Sequence, residues 1–200
     1  MEPRVGQVEY HPLEPFLPER GRLLMLGSFP PQKKRWCMDF YYPNFQNDMW
    51  RVMGLAFYGD KNHFVLSGQK CFDRDRIIVF LQEKGIALYD TASAVRRLMD
   101  NASDNHLEVV IPTDIEPLLA ALPACRAIVV TGEKAVNELV KRYKVQKPAM
   151  GSSVMWYIEG KKYHFYRMPS TSRAYPLALE KKAMFYATML NEVLADDCKK

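Results

Sequence analysis

The sequence predicts an α/β protein, a three-layer α/β/α sandwich around a mostly parallel central sheet. Three observations carry that expectation. Short, uniformly apolar segments recur: Leu23-Leu24-Met25-Leu26, Ile86-Ala87-Leu88-Tyr89 and Ala127-Ile128-Val129-Val130. Strands apolar on both faces belong to sheets covered on both sides. Amphipathic helical stretches lie between them, the alternation of βαβ units. The chain has 200 residues, 48% hydrophobic and 12% aromatic, enough for one packed core and too apolar for a disordered chain.

Each element follows from local pattern. Residues 1–20 contain Pro3, Pro12, Pro15 and Pro18, so an extended N-terminal arm with room for one short helical turn precedes a single domain over 21–200. Arg22 to Leu26 reads as the first buried strand, closed by Gly27-Ser28. A long loop runs from Phe29 to Gln46. A helix starts near Asn47, with Met49, Trp50, Met53 and Phe57 on one stripe. Asp73 caps a second helix with Ile77, Ile78 and Leu81 on its apolar face, and Gly85 ends it. The strand Ile86 to Tyr89 ends at Asp90. Thr113-Asp114-Ile115-Glu116 has the spacing of a capping box ahead of Leu118, Leu119 and Leu122.

The third strand, Ala127 to Val130, ends at Thr131-Gly132 and is followed by a helix from Glu133 to Tyr143. Met155 to Ile158 and Tyr163 to Arg167 form two more strands hinged at Glu159-Gly160. The second runs into Met168-Pro169-Ser170-Thr171-Ser172. The last helix spans about Leu177 to Leu194, with Leu179, Ala183, Ala187, Leu190 and Leu194 facing inward. Ligands of such sheets sit beyond the carboxyl ends of the strands. The loops at Gly27, Asp90, Thr131 and Pro169 therefore gather at one edge.

Composition narrows the function. Cys37, Cys71, Cys125 and Cys198 form no C-x-x-C pair, and His11, His63, His106 and His164 show no metal-ligand spacing, so no metal site or cofactor is expected. No apolar run approaches the roughly 18 residues of a membrane span. Met1-Glu2-Pro3-Arg4 does not open a signal peptide. The expectation is a cytoplasmic monomer, nucleoid-associated if bacterial. A net charge of +5 is compatible with a phosphate backbone without requiring one. Nucleotide-type glycine loops and the G-x-S-x-G nucleophile turn are missing from the sequence.

Four segments carry candidate chemistry. Gly27-Ser28-Phe29-Pro30-Pro31 leads into Lys33-Lys34-Arg35-Trp36, which suits a phosphate backbone and a stacked base, or a solvated basic loop beside a core Trp. Tyr41-Tyr42-Pro43-Asn44-Phe45-Gln46-Asn47 interleaves aromatics and amides before a helix. Asn47 reads as an N-cap or as an amide that holds a base edge or a water. Asp90, at the rim of a parallel sheet, can bind a ligand or hold a loop. Pro169-Ser170-Thr171-Ser172-Arg173-Ala174-Tyr175-Pro176 makes a phosphate nest or an ordinary turn before the last helix.

Taken in order, these segments resemble the uracil-DNA glycosylase superfamily, and within it the hypoxanthine-DNA glycosylase branch. A G-S-F-P-G-like motif is Gly27-Ser28-Phe29-Pro30-Pro31. A Y-Y-x-x-P-x-N-x-F-W-like segment is Tyr41 to Trp50. A G-I-x-L-W-D-like strand is Gly85 to Asp90. An S-x-D-like element falls at Ser103-Asp104. A T/N-G-x-x-A strand end is Thr131 to Ala135. An L-P-S-T-S-P-A-like motif is Met168 to Ala174. The likeness covers roughly residues 20–190.

The resemblance implies a monofunctional glycosylase that flips a nucleotide carrying a deaminated base, hypoxanthine or uracil, out of DNA and hydrolyses its glycosidic bond without metal or cofactor. It implies that Asn47 orients the water or the base and that Asp90 contacts the base edge. Ser28, Phe29, Pro30, Tyr42 and Asn44 would line the substrate pocket, with Phe29 stacking on the base. Lys33, Lys34, Arg35, Pro169, Ser170, Thr171 and Ser172 would hold DNA, and Arg173 or Tyr175 would fill the gap in the helix. The alternative is a DNA-binding relative that recognises damage without cleaving. Its supporting feature is Phe29, at a place where most of the superfamily has Asp or Asn, a group that the hypoxanthine branch also lacks. Met168 likewise stands where the closing motif often begins with His or Asn.

Overall fold

The computed structural model describes residues 6–99 and 106–195; Ser103-Asp104 and Cys198 lie outside them. The central sheet has five strands: β2 (Leu23–Gly27), β3 (Ile86–Asp90), β6 (Ala127–Thr131), β7 (Ser152–Ile158) and β8 (Lys161–Met168), in the order β3-β2-β6-β8-β7. The first four in that order pair in parallel, and β7 closes one edge antiparallel to β8. The β7–β8 hairpin turns at Glu159 and Gly160, both with positive φ (49° and 78°), as a tight two-residue turn demands.

Two cores flank this sheet. Leu23 and Met25 point to one face, against α1 (Met49–Tyr58), α2 (Arg74–Lys84) and α5 (Leu179–Leu194). Leu24 and Leu26 point to the other, against α3 (Glu116–Ala120) and α4 (Glu133–Tyr143). Burial on both faces is what made these strands uniformly apolar, and each such side chain contributes about 1.5–3 kcal/mol. The mixed α/β, three-layer expectation is met. The parallel character holds for four of the five strands.

A second, three-stranded antiparallel sheet was not anticipated. It consists of β1 (Val8–Tyr10), β4 (Ala92–Arg97) and β5 (Leu107–Pro112), in the order β1-β4-β5. Its inner face packs Ala92, Val95 and Leu107 with Phe29. A buried Arg97–Glu9 ion pair at 3.0 Å, with Arg97 Nη2 donating to the Pro30 carbonyl at 2.6 Å, pins the loop after β2 to this sheet. The extended N-terminal arm supplies β1, and Phe16 then bridges Leu88 on the outer edge of β3.

One local expectation is corrected and another extended. The capping box before α3 does not form. The Thr113 hydroxyl pairs with Ser93 Oγ at 3.0 Å, and Asp114 Oδ1 instead accepts from Glu116 N at 3.3 Å and from the Tyr143 hydroxyl. The buried face of α5 is Lys182, Ala183, Tyr186, Met189, Leu190 and Val193: Ala183 and Leu190 face inward as expected, Leu179 and Leu194 are partly buried and pack on the same core, and Ala187 is partly buried. Lys182 and Tyr186 join this face because they find polar partners beneath it: Lys182 bonds to Asp48 and the Ser172 carbonyl, and the Tyr186 hydroxyl donates to the Pro169 carbonyl.

Candidate active site

The strand order reverses around β2, whose neighbours β3 and β6 lie on opposite sides, so the crevice predicted by topology falls at the carboxyl ends of β2 and β6. Asp90 sits in register beside Gly27. A Cβ on Gly27 would lie 2.3 Å from Asp90 Oδ1 and 3.3 Å from the Tyr42 hydroxyl, so only glycine lets both groups reach this point. The Tyr42 hydroxyl shares a hydrogen bond with Thr131 Oγ1 at 3.2 Å, linking the long loop to the end of β6. Tyr42 holds φ at +49°, a left-handed conformation that costs a non-glycine residue about 1 kcal/mol or more. The strain is maintained where the ring and hydroxyl are placed.

Asp90 is buried and is held from behind by the arm. Its Oδ2 lies 2.8 Å from His11 Nε2, while His11 Nδ1 lies 2.7 Å from the Leu13 carbonyl. The imidazole also sits 4.7 Å from the Tyr89 ring and edge-on to Phe29 at 5.3 Å. Thus Oδ2 is committed, and Oδ1 is the oxygen left above Gly27. Burial and the Asp90 charge hold the neighbouring Tyr41 hydroxyl far above the usual phenol range, so it remains a donor, here to the Glu14 carbonyl at 2.8 Å. His11 was absent from the sequence-predicted set. It is 79 residues from Asp90 along the chain, and no spacing pattern joins them.

The amide-rich segment is built of local turns. Asn44 Oδ1 accepts from Gln46 N at 2.9 Å, and Asn47 Oδ1 accepts from Met49 N at 2.9 Å, the first turn of α1. Asn47 is not the N-cap of α1, a place taken by Asp48; its oxygen closes an Asx turn on Met49 N just ahead of the helix, and the amide NH2 is the end it can still offer. This segment zips onto the loop after β8: Asn47 bridges Ser172, and Asp48 N donates to the Thr171 carbonyl at 2.8 Å. Ser170 approaches Gly132, whose Cβ position would lie 3.4 Å from the serine Cβ. Gly27, Asp90, Tyr42 and Thr131 are thus linked at the ends of β2, β3 and β6, while Ser170 approaches Gly132 and Asn47 pairs with Ser172.

Other predicted residues lie elsewhere. Phe29 is 7% exposed, packed on the small sheet. Together with Pro30 it lines a separate cavity of about 420 Å³ with Tyr10, Gln32, Trp36 and Arg97. So little exposed ring face is poorly suited to stacking on a base, whereas Tyr42 is half-buried at the crevice. Thr171 is 3% exposed, which withdraws its hydroxyl from any phosphate. Lys33 pairs with Asp39 at 2.6 Å and lies 4.3 Å above the Trp36 ring. Lys34 is exposed and Arg35 half-buried on the same turn, and Ser28 is half-buried just past β2. Arg173 bonds to Asp48, and the Tyr175 hydroxyl lies 3.6 Å from Met150 Sδ. Among the described residues there is no cluster of His, Cys, Asp and Glu that could hold a metal ion, and no helix long and apolar enough to cross a membrane.

Fold and crevice together define an α/β/α protein with a polar site at the switch point of a mainly parallel sheet. A solved structure shares that fold. It is the solution NMR structure of a "putative uracil DNA glycosylase" from Methanosarcina acetivorans, with 20% sequence identity and a TM-score of 0.63, and the match covers 94% of this chain and 99% of that one. At that identity the likeness is one of fold. No family profile matches the chain, and no curated protein is similar to it.

Proposed function

We propose that the protein is a monofunctional DNA glycosylase, acting as a monomer on DNA in the cytoplasm, that hydrolyses the N-glycosidic bond of a flipped-out deaminated base, hypoxanthine or uracil. The observation that carries this reading is the convergence of the Asp90 carboxylate and the Tyr42 hydroxyl over Gly27, with the Tyr42 hydroxyl bonded to Thr131 Oγ1. A carboxylate oxygen beside hydroxyl donors suits both halves of the reaction. Asp90 Oδ1 accepts from a base-edge N–H or takes the proton of the attacking water. The Tyr42 hydroxyl and the Asn47 NH2 donate to the negative charge that builds on the departing base. Water adds to the anomeric carbon as the C–N bond breaks, and the base leaves with the proton. His11 acts through Asp90 as a positioning residue. Outside the crevice, Ser170, Ser172 and the basic turn at Lys33, Lys34 and Arg35 contact phosphates.

The test uses duplexes bearing one inosine or one uracil, incubated with the protein and then treated with hot alkali. Strand cleavage is expected, and its loss in Asn47→Ala with DNA affinity retained. The commitment of the Asn47 oxygen to α1 favours a second reading, a relative that binds damaged DNA without cutting it. Intact strands together with tight, salt-sensitive binding would establish that one and refute the first.

A further inference from the structure

The opening turns of α1 and α5 and the turn at Ser172 and Arg173 line an open recess of about 360 Å³. Its wall carries four cations, Arg51, Lys61, Arg173 and Lys182, against one carboxylate, Asp48. That carboxylate is already divided: Oδ2 accepts from Lys182 Nζ at 3.0 Å, and Oδ1 accepts from Arg173 Nε at 3.3 Å. Lys182 is 1% exposed and also donates to the Ser172 carbonyl at 2.8 Å. Arg51 is fixed by donation to the Phe45 carbonyl at 2.9 Å and by stacking 4.3 Å from the Phe45 ring. Lys61 stands exposed at the margin.

Gathering like charges around a recess is unfavourable unless an anion enters it. The crowding registers on Arg51, whose guanidinium is shifted down by burial and then by the Arg173 charge. Guanidinium forks match the oxygens of a phosphate, and lysines add point charge. We propose that this recess is a phosphate-binding pocket walled by Arg51, Lys61, Arg173 and Lys182, and that the phosphate is a backbone group of bound DNA. The DNA source rests on the glycosylase reading; the phosphate chemistry does not. Arg173, tied to Asp48 on the pocket wall, is then a phosphate ligand and not the side chain that fills the gap left by a flipped nucleotide.

The experiment measures affinity of the full chain for an undamaged duplex across a salt series. Each phosphate contact contributes about 0.9 to the slope of log K against log salt. The Lys61→Gln/Arg173→Gln double variant is expected to bind more weakly and to lower that slope by about 0.9. Lys162→Gln, at the opposite end of β8 from the crevice, should leave it unchanged. Thermal unfolding in phosphate and in chloride at equal ionic strength forms the second arm. A phosphate-specific rise in Tm that the double variant loses, with no change in the DNA slope, would assign the pocket to free phosphate and overturn the DNA source. Neither a slope change nor a phosphate-specific rise would overturn the pocket altogether. Absence of base release is read in the cleavage assay alone, and would remove the enzyme reading while leaving a positive slope result standing.

Discussion

Replacing Gly27 with alanine isolates the geometry on which the crevice depends. The backbone there does not require glycine, since Gly27 is not among the positive-φ residues, so the perturbation is the added methyl group alone. That methyl would lie 2.3 Å from Asp90 Oδ1, about 1 Å closer than an ordinary carbon–oxygen contact. The carboxylate has to move, and its 2.8 Å contact with His11 is disturbed with it. Overpacking of this kind costs about 1–3 kcal/mol. For a chain of 200 residues that corresponds to a fall in Tm of roughly 2–12 °C. A reacting group displaced by about 1 Å costs roughly 100-fold in rate. Single-turnover cleavage of an inosine or uracil duplex, paired with a thermal melt and with binding to undamaged DNA, reads all three quantities. The expected result is a large loss of cleavage, a modest loss of Tm and unchanged affinity. Cleavage within a few-fold of the parent, at unchanged Tm, would refute the placement of Asp90.

Two further outcomes follow from buried charge and buried thiol. Lys182→Met leaves Asp48, 6% exposed, with only the half-exposed Arg173, and should lower stability in urea by about 3 kcal/mol; a loss below about 1 kcal/mol would show that Arg173 alone compensates. Burial raises Cys125 from 9.0 to about 11 and Cys37 likewise to about 11. The folded thiols stay neutral while those of the unfolded chain ionise first, so this stability is present below pH 9 and is lost as pH rises towards 11. The urea midpoint should therefore be lower at pH 10.5 than at pH 8, and brief alkylation at pH 8 should spare Cys125.

The central sheet was legible because three of its strands are compact apolar words, LLML, IALY and AIVV, that end in Gly27, Asp90 and Thr131, while β8 shows itself by alternation of buried Tyr163 and Phe165 with polar neighbours. The small sheet was not. Ala92 to Arg97 has small and charged residues where a strand usually shows branched ones, and its buried Arg97 becomes tolerable only with Glu9, 88 residues away, as a partner. The inward place of Lys182 on α5 is hidden for the same reason, since a lysine reads as a surface residue until Asp48 is seen beneath it. At the sheet edge, the place of Asp90 at the end of β3 and of Asn47 just before α1 is legible from the sequence. That of His11 is not, because only the tertiary path of the arm brings it there. The burial of Phe29 is not legible, because the motif that contains it says nothing about the sheet that covers its ring.

The arm does two jobs along one short strip. Phe16, bridged to Leu88, hems the outer margin of the sheet, which would otherwise present unpaired backbone to other chains. Five residues earlier, His11 clasps the Asp90 carboxylate. Peeling the strip away would unhem the margin and unclasp the acid in a single movement, so fraying at that border would disarm the molecule well before its interior came apart.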